Sequence, residues 1–64
     1  MRSISRIDGE KLKLARQKAG MSQMELAKYL NVSINTYIFW ERSVSNPNEG
    51  IRSEVQEFIN KYVS

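Results

Sequence analysis

The chain has 64 residues, no Cys and no His, and 10 Lys and Arg against 7 Asp and Glu, for a net charge of +3. So short a domain buries only about 60% of the surface its unfolded form exposes, and without thiol or imidazole groups it lacks the usual nucleophiles, bases and metal ligands; neither an enzyme nor a cofactor is expected. The missing cysteines exclude a disulfide scaffold, and no apolar run approaches the roughly 20 residues of a membrane span or follows the N-terminal charges as a signal peptide would, so a soluble cytoplasmic domain is expected.

Apolar residues recur at helical spacing, with no strict alternation long enough for a sheet. Residues 1–6 read as a flexible N-terminus ahead of a single domain. The first helix is predicted over 8–19. Asp8 caps it, Glu10 suits its positive first turn, and Ile7 and Leu12 have the spacing of a hydrophobic staple. Leu12, Ala15 and Ala19 form its buried stripe, and Gly20 ends it.

A second helix is predicted over 22–30, opened by the capping box Ser22-Gln23-Met24-Glu25. Leu26, Ala27 and Leu30 face inward, and Asn31 suits a left-handed C-terminal cap. Two residues later Ser33 can cap a third helix over 33–42, so only a short turn separates the two. Helices joined this tightly pack at a steep angle around small residues; here that is Ala27, with Val32, Tyr37 and Trp40 as apolar anchors. Ser43 to Gly50, dense in turn formers and holding the only proline, reads as a loop. The fourth helix is predicted over 51–63, its stripe of Ile51, Val55, Phe58, Ile59 and Tyr62 closing the core.

Charge is uneven along the chain. Residues 1–30 hold seven cations against three acids, 31–40 hold none of either, and 41–64 hold three cations against four acids. This pattern suits a polyanion facing the N-terminal half, and it suits a Lys-rich solvated surface equally well.

The run Met21-Ser22-Gln23-Met24-Glu25-Leu26-Ala27-Lys28-Tyr29-Leu30-Asn31-Val32-Ser33, followed by Trp40-Glu41-Arg42 and Pro47, resembles the XRE-type (Cro/CI-like, lambda-repressor-like) helix-turn-helix regulators. Leu12, Ala15, Arg16 and Gly20 match that family's first-helix pattern. The resemblance implies an all-α fold, a small bundle of four or five short helices. It also implies that Arg16 pairs with Glu41 and holds the first and third helices in register; otherwise they are two surface charges worth almost nothing. The family's usual fifth helix finds no room, since only fourteen residues follow Gly50. A dimer surface would then fall to the fourth helix and the Pro47 loop.

In this family the third helix enters the major groove of double-stranded DNA while the second spans the backbone. Carried over residue by residue, Gln23 is implied as a phosphate contact. Ser33 is implied as both cap and phosphate donor, although capping alone explains it. Ile34, Asn35 and Phe39 match the base-facing positions, with Thr36 and Ile38 beside them. Asn35 alone can pair bidentately, and adenine is the base that its amide matches; Ile34 and Phe39 offer apolar contact, for example to a thymine methyl. Arg42, Ser45 and Asn46 would complete a backbone clamp, while Lys28 reads as solvated surface.

Two functions follow. The first is a sequence-specific DNA-binding transcriptional regulator of phage or mobile-element type, acting as a homodimer. The second arises because this third helix carries no Arg, Lys or Gln before Arg42, and Tyr37 stands where the family has Ile or Val. Its apolar residues Ile34, Ile38 and Phe39, with Ile51 and Phe58, could instead grip a second regulatory protein, as an anti-repressor would.

Overall fold

The computed structural model describes residues 6–63, so the predicted flexible segment falls, apart from Arg6, outside the described residues. Four helices follow one another: α1 (Gly9–Lys18), α2 (Gln23–Tyr29), α3 (Ile34–Glu41) and α4 (Glu49–Val63). No strand occurs among the described residues. The fold is a small all-α helix-turn-helix bundle in which α1 packs on α4 and on α3, and α2 packs on α3.

Local chemistry accounts for the punctuation. Asp8 accepts from the Glu10 amide at 3.0 Å, and Ile7 and Leu12 on either side of this cap are both buried, as a staple requires. The capping box of α2 closes in both directions: the Glu25 amide donates to the Ser22 hydroxyl at 3.1 Å, and the Ser22 amide to the Glu25 carboxylate at 2.7 Å.

The first three helices end alike. Gly20, Asn31 and Ser43 have φ of 72°, 63° and 61°, and the amide beyond each reaches back to the carbonyl of Arg16, Ala27 and Phe39 respectively. Ser43 is the strained member, because a side chain in the left-handed region costs about 1–2 kcal/mol. α4 begins at Glu49, two residues before the predicted Ile51. The Asn48 carbonyl accepts from the Ile51 and Arg52 amides at 3.2 and 3.0 Å, so the helix winds directly after Pro47-Asn48, with Glu49 in its acid-favouring first turn.

Leu12, Ala15, Leu26, Ala27, Leu30, Tyr37, Trp40, Val55, Phe58 and Ile59 are buried together with Ile7, and Val32, Ile34, Ile51 and Tyr62 pack against them. Tyr37 and Trp40 meet edge to face at 6.4 Å. A second closure is backbone-specific. A methyl group on Gly9 would lie 2.7 Å from the Trp40 carbonyl oxygen and closer still to that of Glu41, so only glycine lets the first turn of α1 sit against the end of α3.

Candidate nucleic-acid interface

α3 is held in place by a polar cluster at its C-terminal end. The Arg16 guanidinium donates to the Glu41 carboxylate through Nε at 2.7 Å and to the Met21 carbonyl at 3.1 Å. Tyr37 donates its hydroxyl to the same carboxylate oxygen, and Gln23 donates its amide to the other at 3.1 Å. Glu41 therefore ties α1, α2 and α3 together. Its side chain is only 4% exposed and that of Arg16 13%. Burial alone would push the Glu41 carboxyl up, but the bonds from Arg16, Tyr37 and Gln23 outweigh it and hold the group below the usual carboxylate range. Burial, reinforced by the hydrogen bond to Glu41, pushes the Tyr37 phenol up. The bond to Glu41 raises the Arg16 guanidinium further.

The expected Arg16–Glu41 pair is thus present, and it is larger than a pair. Tyr37 and Gln23 join it as members that the pair does not include. A phenol four residues before a carboxylate on one helix face was the available signal. It also explains why tyrosine fits at a position buried to 0% exposure: the ring fills the core and the hydroxyl reaches Glu41.

With α3 fixed, one stripe of it faces outward. Asn35 and Arg42 are exposed, Phe39 is 45% exposed and Ile38 is half-buried; their spacing of three and four residues puts them on one face. Ser45 is exposed beside the end of that stripe.

Other expected contacts have different tasks. Ser33 accepts from the Thr36 amide at 3.2 Å and gives its single proton to the Thr36 hydroxyl at 2.9 Å. It therefore caps α3, and the hydroxyl pair engages one of its two protons, leaving the other for an outside acceptor. Ile34 is half-buried, with part of its side chain packed against the core. Gln23 has one amide proton committed to Glu41 and a second available.

Asn46 has a structural task within the fold. Its side chain accepts from the Ile7 amide at 2.8 Å and donates to the Ile7 carbonyl at 3.2 Å, strapping the residue before the cap of α1 to the loop before α4. Phe58 is a core residue at 8% exposure and Ile51 packs against the core, so neither continues the outward stripe of α3. Pro47 is fully buried, which removes it from any dimer surface.

Among the described residues no three Asp, Glu, His or Cys side chains gather as a metal site needs, and no helix is long and apolar enough to cross a membrane. Compared with known proteins, residues 12–62 match a family model described as helix-turn-helix. No curated protein and no solved structure matches the chain.

Proposed function

The chain belongs to the XRE-type helix-turn-helix family, a family of DNA-binding regulatory domains, and from that premise we propose that it is a sequence-specific transcriptional regulator of the phage or mobile-element type. It acts in the cytoplasm, binds operator DNA as a dimer and lays α3 in the major groove. The observation that carries the reading is the outward stripe of α3, with Asn35 in the first turn and Arg42 at the end. Asn35 reads adenine bidentately, Ile38 and Phe39 meet thymine methyls, and Arg42, Ser45, Thr36 and the second amide proton of Gln23 hold phosphates. The Glu41 cluster sets the angle of the stripe, since it joins α3 to both preceding helices.

Selection from a random duplex library at about 150 mM salt tests this, because phosphate attraction is then weak enough for base preference to show. The expected product is a motif with dyad symmetry whose half-sites lie about one helical turn apart. Asn35→Ala should lower the preference for that motif by roughly 1–3 kcal/mol, about 5- to 150-fold, while non-specific binding and the circular dichroism spectrum stay unchanged. Unaltered preference would overturn the role of Asn35. Enrichment of nothing by a folded protein would overturn the reading as a whole.

A second reading rests on Phe39 at 45% exposure and Val44 at 65%, an unusual apolar share for a groove-reading end of a helix. Here the same face of α3 grips another regulator. Phe39→Asp should abolish capture of that partner from the native host; identical partners recovered with and without the substitution would eliminate it.

A further inference from the structure

Away from α3, a groove of about 700 Å³ runs between the end of α2 and the outer face of α4. Its volume is in the range of ligand clefts, roughly 300–1,000 Å³. Three aromatic rings form one row along it: Tyr29 lies 6.2 Å from Phe58, and Phe58 lies 5.0 Å from Tyr62, centroid to centroid. Phe58 is the floor, while Tyr29 stands at the mouth and is 70% exposed, more than any other large apolar side chain described. Glu54 and Glu57 flank the row, and both are exposed.

One cation of the chain itself, on the residue next to Tyr62, stands at the groove. The Lys61 ammonium lies 5.6 Å from the centre of the Tyr62 ring, within reach of a cation–π contact. We propose that this groove is a docking site for a partner protein, and that its occupant is a basic amphipathic helix. Apolar side chains of that helix cover the Tyr29–Phe58–Tyr62 row, and its Lys or Arg side chains meet Glu54, Glu57 and the ring faces.

Charge decides the class of occupant. The two carboxylates outnumber the one ammonium that lines the groove, Lys61, so the groove disfavours a phosphate backbone and suits a basic protein segment. No residue of α3 lines it. The groove and the outward stripe of α3 are therefore separate surfaces, and the inference does not depend on the DNA reading.

The probe is a synthetic amphipathic helix of leucine and lysine alone, titrated into the ¹⁵N-labelled full chain and followed by amide shifts. A leucine–glutamate helix is the control. The expected shifts map to Tyr29, Glu54, Glu57, Phe58 and Tyr62. Tyr29→Ser and Glu57→Gln should each weaken binding about two- to fivefold, the size of one exposed cation–π or ionic contact.

Lys61→Gln should act in the opposite direction, strengthening binding by a similar factor, because it removes the resident cation. Glu10→Gln changes net charge by the same amount as Glu57→Gln but lies outside the groove, and should have no effect. All four positions are exposed, so the variants keep the fold, which circular dichroism verifies. Shifts centred elsewhere, equal binding of the glutamate helix, no shift up to the solubility limit, or equal effects of Glu10→Gln and Glu57→Gln would each overturn the proposal. Groove shifts that grow with protein concentration alone would replace the partner helix by a second copy of the chain.

Discussion

Gly9→Ala is expected to leave the chain largely unfolded. The added methyl would meet the backbone carbonyls of Trp40 and Glu41, which belong to α3 and cannot move as a side chain can. Relieving the overlap means lifting the first turn of α1 off α3, and that loosens Leu12 and the strap between Asn46 and Ile7. Overpacking of this kind costs about 1–3 kcal/mol, and more where backbone must shift. A core of this size supplies only about 3–5 kcal/mol. Thermal denaturation followed by circular dichroism measures the outcome. Gly50 makes the comparison sharp: it too lies in a first turn, but a methyl there touches only the Asn48 side chain, at 3.6 Å. Gly50→Ala should stabilise by about 0.5–1 kcal/mol. Equal effects at the two glycines would refute the close-approach argument.

The second large effect concerns Glu41. Glu41→Gln leaves Arg16, with a side chain 13% exposed, without its carboxylate, and Tyr37 and Gln23 without an ionic acceptor. Breaking a buried pair costs about 3–5 kcal/mol; the low end applies, because Arg16 keeps the Met21 carbonyl. The pH dependence has a definite sign. Glu41 has a folded-state pKa below its ordinary 4.5, so its contribution is complete above 4.5 and is lost as the pH falls through the lower folded value.

Tyr37 works at the other end. Its folded-state pKa lies above the ordinary 10.0, so its contribution is complete below pH 10 and is lost as the pH rises above it. The wild-type chain should therefore lose stability in both windows. Tyr37→Phe should flatten the alkaline limb and cost about 1–2 kcal/mol near neutrality, from the lost hydrogen bond to a charged acceptor. Glu41→Gln should flatten the acid limb. Melting temperatures from pH 2 to 11 test both, and an unchanged acid limb in Glu41→Gln would mean that other carboxylates govern it.

The same cluster shows what a sequence can and cannot reveal. Arg16 and Glu41 are 25 residues apart, and no periodicity joins them; the resemblance to XRE-type regulators did, because their shared pattern carries the pair. Gln23 occupied a position that the pattern ties to phosphate, and its bond to Glu41 follows only from the packing of α2 against α3. Asn46 is a related case. The resemblance implied a place in the backbone clamp, and only folding shows that its amide also matches both backbone groups of Ile7, 39 residues earlier.

The apolar positions divide in the same way. Periodicity placed Val55, Phe58 and Ile59 on one face of α4, and all three are buried. It did not tell that Tyr29, one residue from the buried Leu30, would stand 70% exposed beside Phe58 as the mouth of a groove. Likewise Ile34 and Phe39 are equally apolar, yet Ile34 shares a helix face with the buried Tyr37 and packs partly against the core while Phe39 is 45% exposed.

Caps, staple, helix order and the stripe of each helix were determined by the sequence itself, because each depends on residues within about four positions of one another, where backbone geometry fixes who meets whom. The Glu41 cluster, the glycine contact at Gly9, the Asn46 strap, and the choice of which α3 and α2 side chains remain outside were decided by the tertiary structure. They depend on how helices cross, and crossing is settled by the whole core packing at once, not by any local run of residues.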